Sequence, residues 1–309
     1  STYQDTLCCN TQNLRIVIEQ ALDQFAGLTQ LNIKQWVESR YKPTPTIIEA
    51  AQALYQGHTV DEISRSDAGA KNLAITSKKI EQIIEDAKLT NKKTICFLTG
   101  VPGAGKTLAG LNIANQRLKT NEQEHSVFLS GNGPLVDVLR EALVRNTVEL
   151  AKQQTEKKTR SEAEREAKAF IQNIHHFRDH YLKSNEVPIE KVVIFDEAQR
   201  AWQKDQVSNF MKQKKGIDNF SMSEPEFLIS VMDRHADWCV VVCLIGGGQE
   251  INTGEAGVSE WLAALEHKYP EWKIYFSNKI LQDKVYLTDP KQQFWVQKNG
   301  KMRKIYILL

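Results

Sequence analysis

The sequence predicts an α/β protein in which a parallel sheet lies between helices, preceded by an all-helical accessory region. Three observations carry this. The stretch GVPGAGKT, residues 100–107, stands between a β-rich apolar run (Ile95, Cys96, Phe97, Leu98) and a helical pattern (Leu108, Leu111, Ile113). A second apolar run, residues 192–195, ends on Asp196 and Glu197; unbroken apolar character is what a strand buried on both faces of a parallel sheet requires. Further runs of the same kind at 125–131, 238–245 and 272–276 alternate with helical segments, the order of βα units.

Length and composition bound the possibilities. A chain of 309 residues holds one large or two modest domains. Hydrophobic content of 41% and charged content of 25%, with a mean hydropathy of -0.44, describe a soluble globular protein. The net charge of +2, from 40 basic and 38 acidic residues, supplies no global field for a nucleic acid or a membrane surface. The five cysteines (Cys8, Cys9, Cys96, Cys239, Cys243) lack zinc-ligand spacing, and a reducing cytoplasm is the expected location. With no signal peptide and no apolar run of membrane length, no membrane partner is expected.

In chain order, Leu14, Val17, Ile18, Ala21, Leu22 and Phe25 recur at helical spacing, and Gly27 closes the pattern. A second helix is expected after PTPT, with Thr44 as cap, Pro45 in the first turn and Gly57 as stop. Residues 58–73 read as polar and turn-rich, and Ile80, Ile83, Ile84 and Ala87 mark a further helix. Residues 1–90 therefore form the expected helical accessory region, in which Tyr41 and residues 44–46 are candidates to meet a nucleotide base, against a plainer role in capping and core packing.

The strand, glycine loop and helix around residue 100 match the phosphate-binding spacing G-x-x-x-x-G-K-T. Gly100, Gly103 and Gly105 permit backbone angles closed to other residues, so that amides turn inward around a phosphate. The helix then presents free N–H groups and its positive end to the same anion. Residues Gly100, Val101, Pro102, Gly103, Ala104, Gly105, Lys106, Thr107 and Leu108 are the expected ATP cradle. Within it Lys106 reaches the β- and γ-phosphates as a catalytic group, and the Thr107 hydroxyl is a ligand to Mg2+.

After the strand at 125–131 comes a turn (Gly131, Asn132, Gly133, Pro134) and a helix over 135–150. Residues 151–169 are charged throughout, without an apolar stripe, and are expected as a solvated helix or mobile insertion. An amphipathic pattern resumes over 170–182 around His175 and His176, which point different ways on a helix and so do not share a metal. The strand at 192–195 then delivers Asp196 and Glu197 at its C-terminal end, where ligands bind in open α/β sheets. Asp196 is expected to hold Mg2+ together with Thr107, and Glu197 to polarise the attacking water.

Past the strand at 238–245, the loop GGGQEINTGEAG places Gln249 where a side-chain amide senses a γ-phosphate. Asn278 and Lys279 follow the next strand, but Leu281 occupies the position of the Asp needed for guanine reading. The end of the chain carries Asn299–Gly300 between two alternating runs, a hairpin signal. The expected organisation is thus 1–90 helical, 91–280 phosphate-loop domain, and 281–309 a C-terminal β-hairpin or the start of another domain.

GVPGAGKT, the DEAQ box at 196–199 and Gln249 resemble motifs I, II and III of superfamily-one helicases. More narrowly, PTPTIIEAAQALY, IQNIHHFRD, VIFDEAQRAW and GGGQEINTGEAG resemble a bacterial family of helicase-like ATPases related to the Schlafen type. The resemblance implies a RecA-like P-loop NTPase core, ATP with Mg2+, action on DNA or RNA, and a nuclease domain or partner in phage defence. It also implies that 130–135 and 175–177 lie where such enzymes touch a nucleic-acid strand. Gly246, Gly247 and Gly248 stand where motif III usually carries an Asp. No second RecA-like domain is read after residue 281, so the expectation is a part of a larger protein that obtains its arginine finger elsewhere. Arg200 and Arg234 are the nearest internal substitutes.

The reading is a helicase-like ATPase motor domain with Lys106, Glu197 and Gln249 as catalytic residues and Thr107 and Asp196 as metal ligands. Two other readings stand beside it. One is a nucleotide-gated switch that orders residues 151–169; the other is a kinase whose lid uses Arg160 and Arg165.

Overall fold

The computed structural model describes residues 10–25, 27, 32, 34, 45–58, 63, 67–100, 103–120, 125–153, 157–246, 257–277, 280, 287, 289–299 and 301–302. It divides into two compact units, Ser1–Pro43 and Thr44–Leu309. In the first, α1 (Leu14–Phe25) forms over the span its helical spacing predicts, with Arg15 Nε 2.8 Å from Glu19 Oε1 one turn on.

The second unit is built on β1 (Thr94–Gly100), β2 (His125–Ser130), β3 (Ile171–Asn173), β4 (Glu190–Asp196), β5 (Val240–Gly246), β6 (Lys273–Phe276) and β7 (Lys301–Met302). They form one sheet in the order β3-β2-β4-β5-β1-β6-β7, with every neighbouring pair parallel. The central strands are buried on both sides, and their residues divide with a period of two. Cys96, Leu98, Phe128, Ile194, Val242 and Leu244 enter one core, and Ile95, Phe97, Val127, Val193, Val241 and Cys243 the other.

Helices α2 (Ile47–Gln56), α3 (Asp67–Leu89), α4 (Lys106–Thr120), α5 (Gly133–Gln153) and α6 (Arg160–Phe170) cover the first core. The later chain supplies α7 (Ile174–Leu182), α8 (Lys204–Phe210), α9 (Glu224–Met232), α10 (Ser259–His267) and α11 (Pro290–Asn299), of which α7, α9, α10 and α11 cover the second. Helix α4 lies so close to the sheet that a Cβ on Gly110 would fall 2.7 Å from Leu244 Cδ1 and 2.9 Å from Ile194 Cγ2. Helices α2 and α3 share the core of this unit, holding α4 through Asn115 Nδ2, which donates to Leu54 O, and Asn112 Nδ2, which donates to Ser77 Oγ at 3.1 Å.

Several local expectations change for identifiable reasons. Thr46, not Thr44, caps α2: its hydroxyl accepts the Glu49 N–H while the Glu49 carboxylate accepts the Thr46 N–H, a reciprocal capping box. The helix expected near Ile80 begins already at Asp67. Part of the charged segment 151–169 is neither free nor without a stripe, for Ala163 and Ala167 on α6 are buried against the first core, together with Phe170 at the end of that helix. A second capping box, Thr159 with Glu162, starts that helix. Residues 170–182 do not form one helix, because Ile171–Asn173 adds an edge strand to β2 and Asn173 then caps α7 by accepting the His175 N–H at 2.8 Å. The first run of the expected C-terminal hairpin forms helix α11, while Gly300 and residues 303–309 lie outside the described residues. Asp289 Oδ1 accepts the Lys291 N–H at 2.9 Å beside Pro290, Val296 is buried, and β7 pairs parallel to β6.

Candidate functional site

The site lies at the C-terminal edge of the sheet, and β5 stands between the phosphate-loop strand β1 and the Asp-Glu strand β4. Gly103 and Gly105 take φ of 79° and 80°, the left-handed region that favours glycine, so their place in the sequence is dictated by the backbone. At Gly100 the approach is close, since a Cβ there would lie 3.3 Å from Ala104 Cβ and from Lys106 Cγ. Helix α4 begins at Lys106 immediately after the turn, and its first-turn N–H groups face the cradle side without intrahelical acceptors. Lys106 is buried, with Nζ donating to Gly100 O at 2.8 Å. Burial lowers its pKa, against the opposing pull of Glu197 and Asp196. Leu108 packs its side chain on the first core, which leaves its backbone as the part that faces a ligand. Val101, Pro102 and Gln249 lie outside the described residues, as do Tyr41, Thr44, Asn278 and Lys279.

Thr107 and Asp196, 89 residues apart, are brought together: Thr107 Oγ1 donates to Asp196 Oδ1 at 3.2 Å. Asp196 is 2% exposed. Burial, aided by the neighbouring Glu197 carboxylate, pushes its pKa up to about 7, while Thr107 and Lys106 pull it back. A hydroxyl and a carboxylate oxygen meeting at the end of a phosphate loop are hard oxygen donors of the kind Mg2+ prefers, with its remaining positions left to phosphate and water. Among the described residues no group of three or more His, Cys, Asp or Glu side chains is placed to hold a metal on protein ligands alone.

Glu197 is held in the left-handed region at φ 53° and ψ 45°, uncommon for a residue with a Cβ. This turn aims its carboxylate along the sheet edge, where Gln199 Nε2 donates to Glu197 Oε2 and Arg200 Nε lies 3.7 Å from the same oxygen. Gln199 itself is buried, and its Oε1 accepts the Gly246 N–H at 3.0 Å at the end of β5.

A cavity of about 980 Å3 opens from Thr107 and Asp196 past Glu197 and Arg200 to Trp202 and Phe210. His175 lines it, 5.0 Å from the Trp202 ring centroid, whereas His176 is exposed. Burial, with Arg178 nearby, pushes the His175 pKa down to about 4, so the imidazole is neutral at pH 7. Glu224, which also lines the cavity, pairs with the buried Arg178, Nη1 to Oε1 at 3.3 Å, the two being 3% and 1% exposed. Ser130 and Asn132 also line the cavity.

Lys106, Thr107, Asp196 and Glu197 are thus brought together at the C-terminal edge of the sheet. Arg234 does not join them, since its guanidinium donates to the carbonyls of Ser184, Glu186 and Tyr181. Arg160 is engaged by Glu141 at 2.7 Å and Glu164 at 3.0 Å. Sequence reasoning gave no role to Gln199, Trp202, Phe210, Arg178 or Glu224. The DEAQ spelling was a signal for the first; no local pattern marks the others, whose partners lie far along the chain.

Parallel sheet, phosphate loop and Asp-Glu pair together define a RecA-like P-loop α/β domain. The chain belongs to the family described as Schlafen group 3, DNA/RNA helicase domain, whose model matches residues 93–305. None of the curated proteins matches it. Among solved structures, the Hef helicase domain of Pyrococcus furiosus aligns at 17% identity and a TM-score of 0.34, over 64% of this chain and 37% of that one. A structure of Drosophila ORC bound to DNA aligns at 15% identity and a TM-score of 0.27, covering 93% and 63% of the two chains. The ORC2 protein of Aeropyrum pernix, solved as ADPNP-ADP complexes, aligns at 15% identity and a TM-score of 0.21, covering 79% and 52%. The chain therefore spans less than two thirds of each of these structures. Among the described residues no helix is long and apolar enough to cross a membrane.

Proposed function

We propose that this chain binds and hydrolyses ATP as a superfamily-one-like motor domain acting on DNA or RNA. The observation that carries the reading is the contact between Thr107 and Asp196 at the end of the phosphate loop, with Lys106 and Glu197 beside it. The family assignment supports the same class of activity.

Thr107 and Asp196 would hold Mg2+, which would supply positive charge against the phosphates. The residues of this chain do the rest. Lys106 exchanges its bond to Gly100 O for β- and γ-phosphate oxygens, whose negative charge offsets the burial that lowers the pKa of this amine. The amides after Gly103 and Gly105 cradle the phosphates. Glu197 orients a water for in-line attack on the γ-phosphorus, accepting its proton as the bond to the β–γ bridging oxygen breaks and ADP leaves. Gln249 reports the γ-phosphate from the loop that follows Gly246.

ATP turnover measured with and without single-stranded DNA or RNA tests the proposal, and stimulation by a strand is expected. Turnover indifferent to every strand would favour a nucleotide-gated switch, and phosphoryl transfer to a small acceptor a kinase. Neither alternative has a specific observation behind it, because α6 is already packed on the core and Arg160 is already paired.

A further inference from the structure

The cavity that opens from Thr107 and Asp196 stands where hydrolysis leaves its smaller product. Behind a terminal phosphate lie β1, the turn at Gly103 and Gly105 and the start of α4, and after P–O cleavage ADP still fills the loop between them. Inorganic phosphate therefore departs forward, past Asp196 and Glu197 into the cavity. Two carboxylates at the threshold repel the anion, and a route out needs positive charge beyond them.

Two cations line it. Arg200 is the nearer to the Asp-Glu turn, with Nε 3.7 Å from Glu197 Oε2, a distance that leaves an ion pair without a hydrogen bond. That nitrogen is buried with no hydrogen-bond partner, and the guanidinium makes no hydrogen bond among the described residues although its side chain is 38% exposed. A buried orphan donor of this kind calls for a ligand or an ion. The second cation is Lys214, exposed at the rim. Its neighbours Lys212 and Lys215 pair with Asp218 at 3.7 Å and Asp179 at 2.7 Å, whereas Lys214 has no ion pair among the described residues. Arg178, 5.5 Å from the Trp202 ring centroid, is not a third, because it is 1% exposed and engaged by Glu224 at 3.3 Å.

The chemistry of Arg200 selects the occupant. A guanidinium presents a planar fork of N–H donors that matches two oxygens of a phosphate, and it stays charged at any working pH. Here the fork is held by a carboxylate at the γ-phosphate end of the site without being saturated by it. A tetrahedral oxyanion released at that end meets Arg200 first.

We infer that the part of the cavity at Arg200 is a transit site for the inorganic phosphate set free by hydrolysis, with Arg200 as its binding group and Lys214 as the outer cation. The inference rests on the ATPase reading and adds how the product leaves. Arg200 meets the phosphate after the bond to ADP is broken, so its task is release and not cleavage. The anion and Glu197 compete for one guanidinium, and the pair with Glu197 re-forms as phosphate departs.

The test is a titration of inorganic phosphate against the chain loaded with a non-hydrolysable Mg2+-ATP analogue, which keeps the γ position filled, read as broadening of the phosphorus NMR line of free phosphate. Thermal stabilisation by the analogue confirms that each variant is folded. The parent is expected to bind phosphate saturably. Arg200→Gln is expected to weaken that binding about 10- to 100-fold through the loss of charge-assisted hydrogen bonds, and Arg200→Lys by less. Lys214→Gln, on the exposed rim, is expected to weaken it about 2- to 5-fold. Phosphate bound equally well by Arg200→Gln and the parent overturns the assignment. Phosphate that binds beside Mg2+-ADP but not beside the analogue also overturns it, since the ion then sits in the γ position itself. A parent that the analogue stabilises but that binds no phosphate loses the transit site and keeps the ATPase reading, whereas a parent that the analogue does not stabilise loses both.

Discussion

The side-chain carbonyl of Gln199 accepts the backbone N–H of Gly246 at 3.0 Å, so a residue of the Asp-Glu turn fastens the end of the neighbouring strand. The same side chain donates to Glu197, which makes it a bridge between the carboxylate proposed to orient water and the chain that leads to Gln249.

Gln199→Leu removes both bonds and leaves the buried Gly246 N–H without this acceptor, a loss of about 1–3 kcal/mol in stability. Gln199→Glu keeps the acceptor but sets a carboxylate against Glu197. Both variants are expected to lose ATP turnover by a larger factor than ATP affinity, read as kcat against ATP-induced stabilisation. Parallel loss of the two would reduce Gln199 to a structural prop.

Lys106→Ala is expected to leave the fold intact and abolish most of the stabilisation by Mg2+-ATP. A ligand at 100 times its Kd raises stability by about 2.7 kcal/mol, ample for a thermal shift. An unchanged shift in the variant would take the phosphate loop out of the site.

Glu197→Gln retains the side chain's size and hydrogen bonding without its charge, so hydrolysis should fall by orders of magnitude with affinity nearly kept. Normal turnover, or equal loss of both quantities, would mean that another group orients the water.

Asp196 carries the pH dependence. Its pKa is raised from an ordinary 3.8 to about 7 in the native state, so between these values the folded chain holds a proton that the unfolded chain has lost. The stability tied to that neutral carboxyl is fully present below about pH 4 and is lost as pH rises through about 7. Asp196→Asn cannot ionise. In the absence of ligand it is expected to melt higher than the parent at pH 8, with the difference shrinking toward pH 4, while its ATP turnover falls and is partly restored by high Mg2+. A melting difference that does not vary with pH would discard burial as the cause of the shift.

Gly110→Ala tests the seat of the phosphate-loop helix. The added Cβ would lie 2.7 Å from Leu244 Cδ1 and 3.0 Å from Phe128 Cε2, both on buried side chains of the sheet. Despite the better helix propensity of alanine, urea denaturation should show a loss of about 1–3 kcal/mol. A variant as stable as the parent would contradict the close approach of α4 to β5.

What the sequence by itself determined was local. The spacing of GVPGAGKT dictates a turn in which Gly103 and Gly105 take positive φ, and the unbroken apolar runs dictate strands buried on both faces, because each signal lies within a few consecutive residues. The parallel α/β class followed from their alternation with helices. The capping boxes at Thr46 and Thr159 were equally legible as T-x-x-E, but the high charge of residues 151–169 masked the small stripe of Ala163 and Ala167. Asp289–Pro290 marked a helix start that the alternation of the following residues concealed.

Only the tertiary structure decided the strand order, with β5 inserted between the phosphate loop and the Asp-Glu turn. It alone joined Gln199 to Gly246, pressed Gly110 on Leu244, and set the Arg178–Glu224 pair beside Trp202. These contacts join residues far apart along the chain, and they depend on burial, which has no signature in the neighbours of either partner. A glycine within a helix or an arginine on its face reads as solvent-facing or weak until the opposing layer is known, and it is the packing of that layer that gives it a task.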